Sequence, residues 1–131
     1  MPFWGLILSS AAFIVPAIIA YRQKRKRMGH SCSVLTITSL LYHGTQQTCF
    51  KYMDIVYAHT IGGLYLWTSF KKWHIYRRLY DWIILSGATG CVWIFYKKSC
   101  DKSNMYQDHW HMGMHFLSQG SWILHALDKK Y

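Results

Sequence analysis

The stretch PFWGLILSSAAFIVPAIIAY, from Pro2 to Tyr21, carries no charged side chain and, wound into a helix, presents no polar face. A helix in a soluble bundle is apolar along one stripe. One that is apolar all round belongs in a large core or in lipid. At ~1.5 Å per residue, about 20 residues cross the ~30 Å of bilayer hydrocarbon, and this run has that length. Four further runs follow, Ser31 to Cys49, Met53 to Phe70, Leu79 to Tyr96 and Gln107 to Leu127. The third and fifth are weaker by hydropathy because they contain Asp54, His59, His111, His115 and Gln119. The expected fold is all-α: a polytopic transmembrane helical bundle of about five spans, with residues 1–131 forming a single transmembrane domain.

Mean hydropathy over the whole chain is close to zero. That average conceals apolar blocks separated by short basic loops, and the loops explain the net charge of +10. Five basic residues lie in Arg22 to Arg27, four in Lys71 to Arg78 and two at Lys129 and Lys130. Five spans put all of these on one side and leave Lys51, Lys97, Lys98 and Lys102 on the other. Cytoplasmic loops are enriched in Lys and Arg. The expected topology is therefore integral and multi-pass, with the amino terminus outside or lumenal and the carboxyl terminus cytoplasmic. The basic loops are expected to meet anionic headgroups of membrane lipid, and no nucleic-acid partner is expected. The first run is read as a retained span, because its basic cluster follows the apolar stretch where a signal peptide would have it precede.

Ionisable groups inside a span are costly and ask for a partner or a function. With this topology, His43, Asp54, His111 and His115 all fall roughly 5–12 Å below the outer boundary at ~1.5 Å per residue. Faces agree with depth. Cys32, Thr36, Ser39, His43 and Gln47 follow a 4-3-4-4 spacing, and His111, His115, Ser118, Gln119 and Trp122 make a second polar stripe. The i, i+4 spacing of His111 and His115 sets both imidazoles on one face. With His43 they form a candidate metal set: three protein ligands and one open position, the arrangement of catalytic zinc. Such zinc brings the pKa of its water toward ~7. Asp54 is the candidate catalytic group to orient that water or take its proton, and Ser39 the candidate to bond His43 or to stabilise an oxyanion. Each motif also has a plainer reading. The histidines could be a satisfied polar face, Asp54 an ion-pair partner of Lys51, and Ser39 a small residue at a helix contact.

Ser39-x-x-x-His43, Asp54 eleven residues on, and His111-x-x-x-His115 in the last span together resemble the CREST superfamily, which contains the alkaline ceramidases, the progestin and adipoQ receptors and the myomaker-like proteins. The resemblance implies zinc held by His43, His111 and His115, supported by Ser39 and Asp54, and hydrolysis of a lipid amide such as ceramide. The family is typically built on seven spans and this chain offers five. Aligning the first four and the last loses two between Tyr96 and Gln107, and a homodimer could complete the missing wall. Two other functions are compatible with the pattern. One is a non-catalytic membrane protein with structural zinc, in a receptor or membrane-remodelling role. The other is a bis-histidine haem protein ligated by His43 and His111 or His115.

Further expectations concern single residues. Cys49 and Cys100 both fall in or beside outer-side loops, where a disulfide between them could persist, and the sequence leaves open whether they are bridged. Cys32 and Cys91 are read as small core residues. Gly87, Ala88 and Gly90 suggest a close helix contact. His30, His59, His74 and His125 are read as structural or interfacial. Trp4, Trp67, Trp73, Trp82, Trp110 and Tyr96 are read as interface anchors.

Overall fold

The computed structural model describes residues 4–76 and 79–127. Pro2, Arg77, Arg78, Asp128, Lys129 and Lys130 lie outside the described residues, as do the side chains of Lys72, Trp73, Asp81 and Trp82. The described residues are all-helical: α1 (Trp4–Ala11), α2 (Ile14–Arg22), α3 (Lys26–Thr45), α4 (Thr48–Tyr76), α5 (Leu79–Cys100) and α6 (Gln107–Leu127). Among them, Trp4–Arg22 is the one helical stretch long and apolar enough to cross a membrane by length and composition.

That stretch is two helices with a break, and Pro16 supplies the reason. Proline has no N–H and its ring crowds the carbonyl four residues earlier, here Ala12. The ladder responds by tightening: Val15 N–H donates to the Ala12 carbonyl at 3.0 Å, and Phe13 N–H to Ser10 at 3.1 Å. The second end, at Arg22, closes by a left-handed residue. Lys24 has φ 60°, its N–H bonds the Tyr21 carbonyl and that of Arg25 bonds Ala20. This is the paired 5→2 and 6→1 pattern that satisfies the last helical carbonyls.

The helices pack in chain order and the order closes on itself: α1 and α2 lie against α3, α3 against α4, α4 against α5, α5 against α6, and α6 against α1 and α2. Side-chain pairs give the directions. Thr38 meets Asp54 while Cys32 meets Tyr65, so α3 and α4 are antiparallel. Ser9 meets His115 and Arg25 donates to the His125 carbonyl, so the first and last helices run parallel. The Arg25 contact sets a guanidinium on the last turn of α6, where cations are favoured by the helix dipole. Between α5 and α6 the turn is held by side chains. Asp101 Oδ1 accepts from Ser103 N–H at 3.0 Å and Ser103 Oγ at 2.6 Å, which holds its carboxyl below the usual carboxylate range. Asn104 Oδ1 accepts Tyr106 N–H at 3.0 Å.

One end of the bundle is apolar inside, with Phe13, Ala17, Ala20, Met28, Cys32, Leu35, Ile61, Trp122 and Ala126 in one cluster. Toward the other end the interior is polar. Ser9, Ser10, Thr36, Thr38, Ser39, His43, Asp54, His115 and Gln119 are all buried. The outward faces carry large apolar side chains on every helix, among them Trp4, Leu8, Ile37, Val56, Leu64, Ile83, Ile94, Phe116 and Leu124.

Two sequence expectations are corrected here and one open point is closed. Cys49 and Cys100 are free thiols, both exposed, so the disulfide is not formed. Cys91 is exposed because α5 turns most of its surface outward, and Cys32 alone of the four cysteines is buried. Gly87 and Gly90 make no close helix contact, since a Cβ at either would meet nothing within 4 Å. The close glycines lie elsewhere: a Cβ at Gly113 on α6 would lie 2.8 Å from the Phe95 ring, and one at Gly29 on α3 2.7 Å from the Tyr21 ring.

Candidate metal centre

α3 and α6 bring His43, His111 and His115 together, and one potential ligand atom from each lies within 4.8 Å of the others. The ring centroids are 5.0 Å apart for His43 and His111, 5.3 Å for His43 and His115, and 4.9 Å for His111 and His115. The i, i+4 spacing on α6 explains the last distance. The opposite direction of α3 explains why its carboxyl-terminal His43 meets the amino-terminal turns of α6. His43 and His115 are buried and His111 is half-buried, so the cluster has one more open side.

The residues fit a metal. Among the described residues, His43 Nε2 is the buried side-chain atom that has no hydrogen-bond partner. An orphaned buried imidazole nitrogen is costly in protein or lipid, and a metal bond removes that cost. A tetrahedral ion with Zn–N of ~2.0–2.1 Å wants its nitrogens somewhat closer than 4.8 Å, a contraction that small side-chain rotations supply. The haem alternative fits poorly. A macrocycle between any two rings would have to pass through the third, whose centroid is no more than 5.3 Å from either.

Asp54 and Ser39 are placed together, but not as metal ligands. Asp54 is buried between α4 and α3. Its Oδ1 accepts Thr38 Oγ1 at 3.0 Å, and its Oδ2 accepts Ser39 Oγ at 3.3 Å. The Ser39 hydroxyl is thus directed to Asp54 and not to His43. Hydroxyl donors, where an ion pair with Lys51 was the plainer expectation, satisfy the carboxylate, and Lys51 is exposed. The polar stripe on α3 holds through Cys32, Thr36, Ser39 and His43, all buried, and ends before Gln47, which is exposed beyond the helix.

Two participants lie off the stripes that the sequence marks. Thr38 precedes Ser39 by one position and so points about 100° away on the helix, toward α4. Ser9 comes from α1, where Ser9 and Ser10 in an apolar run read as ordinary packing residues. Its Oγ lies 2.9 Å from His115 Nδ1, and its carbonyl accepts Gln119 Nε2 at 2.6 Å. Gln119 and His115 are one turn apart on α6, so both face α1. Gln119→Leu is expected to cost about 1 kcal/mol, because it removes the side-chain donor that meets the Ser9 carbonyl. Thermal unfolding in detergent with metal chelated checks this, and an unchanged midpoint contradicts it.

The remaining histidines stand apart from the cluster. His59 is exposed and bonds the Ile55 carbonyl at 2.7 Å, His30 bonds the Tyr21 hydroxyl at 2.7 Å, and the His125 ring packs on Tyr65. Compared with family models, curated proteins and solved structures, the chain matches none of them.

Proposed function

We propose that this chain is a multi-span membrane protein that holds zinc through His43, His111 and His115 and hydrolyses a lipid amide bond of the ceramide type. The observation that carries the proposal is the three-histidine cluster, two of its members buried and one half-buried, with an unpartnered Nε2 at the polar end of the bundle interior. The distribution of side chains supports the membrane part. Single exposed apolar residues are ordinary, but large ones on every helix, around an interior that is polar at one end, depart from the pattern of a soluble bundle. Lipid would cover the outward faces, and the helices satisfy their own backbone groups. The basic loops then set the orientation: amino terminus outside, metal cluster near the outer leaflet and carboxyl terminus cytoplasmic.

The chemistry such an ion supplies is a water made acidic enough to give a nucleophile near neutral pH. The chain's own residues do the rest. Asp54 is tied through Ser39 to α3, one helical turn before His43. Thr38 and Ser39 fix its plane while leaving lone pairs on both oxygens. Asp54 can therefore accept the proton of the attacking water and return it to the departing amine. Those members of the resembled family that have a known activity hydrolyse lipid amides, and membrane lipid is the partner that an intramembrane site meets.

Purified protein in detergent or nanodiscs should release fatty acid from ceramide, and a zinc chelator should stop it. Zinc bound without turnover on any lipid amide would instead support a structural clip. The topology has its own test in the native cysteines. In sealed, right-side-out vesicles a membrane-impermeant maleimide is expected to label Cys49 and Cys100 and to spare Cys32 and Cys91. Cys91 is exposed from the protein, so only surrounding lipid would shield it. Rapid Cys91 labelling would reject the five-span reading.

A further inference from the structure

We propose that Ser9 of α1 is a positioning residue for His115, holding Nδ1 so that Nε2 is the atom left for the metal. The proposal rests on the zinc reading above and adds the first helix to its site. Ser9 is 1% exposed and His115 3% exposed, so no bulk water competes for the contact between them. Ser9 Oγ lies 2.9 Å from His115 Nδ1 and 3.1 Å from the Leu6 carbonyl. The hydroxyl has one proton. Donated to Leu6, it leaves the oxygen as an acceptor, and His115 Nδ1–H completes the chain from imidazole to hydroxyl to carbonyl. In the neutral ring one nitrogen carries the proton and the other the lone pair. A proton fixed on Nδ1 leaves the lone pair on Nε2, which is how an outer partner selects a ligand's tautomer and ring orientation.

The break at Pro16 makes the approach possible. Phe13 N–H turns to Ser10, away from the Ser9 carbonyl it would reach in a continuous helix. That carbonyl is left for Gln119 Nε2 at 2.6 Å. Ser9 is thereby held to α6 at two points one turn apart, side chain to His115 and backbone to Gln119. The Phe13 ring, 5.3 Å from His115, closes the apolar side.

Ser10 is the built-in control. It is fully buried on the same helix and its Oγ bonds the same Leu6 carbonyl at 2.7 Å, yet no bond to an α6 histidine is recorded for it. The test uses the full chain in detergent with two readouts. Long-range proton–nitrogen NMR of the metal-free protein near neutral pH should show His115 protonated at Nδ1 in wild type and in Ser10→Ala, with the preference lost in Ser9→Ala. Zinc affinity by competition with a chromogenic chelator should fall ~10–100-fold in Ser9→Ala, the range for losing an outer-shell partner, and stay near wild type in Ser10→Ala. Equal losses in both variants would make Ser9 a packing residue and overturn the proposal. So would a wild-type proton on Nε2 with zinc still bound. Wild type that binds no zinc while keeping the Ser9-dependent Nδ1 proton would overturn the metal reading itself, and the purpose assigned to Ser9 with it.

Discussion

The His111→Ala variant is expected to lose zinc: about one ion per chain in wild type, and a more than ~100-fold weaker site in the variant. Loss of an outer-shell partner alone weakens metal sites ~10–100-fold, and His111 is one of the three clustered histidines that could hold the ion. Two ligands on a neutral helix pair cannot hold the ion against water. Stability should separate metal from packing. Zinc that binds only the folded chain adds about 2.7 kcal/mol when its free concentration is a hundred times Kd, so zinc should raise the unfolding midpoint of wild type and leave the variant unmoved. With metal chelated, the two midpoints should be close. His111 is half-buried, and its removal relieves a crowded polar cluster. Acid should act in the same direction as the mutation. Each imidazole must give up its proton before it can ligate, so zinc is released as pH falls and retained as pH rises. A variant that holds one zinc with wild-type affinity would place the site elsewhere.

The three clustered histidines were legible in the sequence because two constraints agree on them. Depth, counted at a fixed rise from the basic loops, placed His43, His111 and His115 at one level. Helical spacing placed His111 with His115, and His43 with Ser39, on single faces. Neither constraint depends on knowing which helices touch. Ser9 does depend on it. Its contact spans 106 positions in the chain, and a serine in an apolar run has many ordinary explanations. Thr38 was missed for a different reason. Asp54 sits between α3 and α4, so it takes one partner on the stripe, Ser39, and a second, Thr38, one residue off it. The break near Ala12 is encoded locally by Pro16, and it matters because the carbonyl freed there ties α1 to α6.

Helix ends were less legible than helix cores. The second apolar run begins at Ser31, but α3 begins at Lys26, because hydropathy marks where lipid would begin and hydrogen bonding continues into the basic loop. α4 extends beyond its apolar run at both ends, from Thr48 to Tyr76. The expectation of a packed glycine seam on α5 failed because small residues permit a close contact without requiring one. The same reasoning applies to Cys91. In a helix with little buried surface, a small apolar side chain says nothing about which way it faces.

The Asp54→Asn variant is expected to keep its zinc and lose ceramide turnover by ~10²–10⁴-fold, the range for removing a positioned proton acceptor. Zinc is retained because Asp54 lies outside the histidine cluster, with its oxygens taken by Thr38 and Ser39. Turnover falls because an amide oxygen cannot hold a proton at neutral pH, and because the amide NH₂ must face a hydroxyl that now has to reverse and accept. Both hydroxyls can rotate to do so: Thr38 Oγ1 also lies 3.1 Å from the Leu35 carbonyl, and a serine hydroxyl is free to turn. The fold should therefore survive, with a loss of about 1–3 kcal/mol for a weakened buried polar pair. Asp54→Leu would be the harsher change, since it strands both hydroxyls in a buried setting. Comparing the variants separates the two uses of zinc. If the site is an active centre, Asp54→Asn is stable, zinc-loaded and inactive, and the loss appears in kcat. If zinc is a clip between α3 and α6, wild type shows no lipid-amide turnover at any zinc occupancy, and Asp54→Asn changes only the unfolding midpoint. Wild-type turnover that persists in a zinc-loaded Asp54→Asn protein would remove Asp54 from the chemistry and leave its two hydroxyl bonds as a joint between α3 and α4.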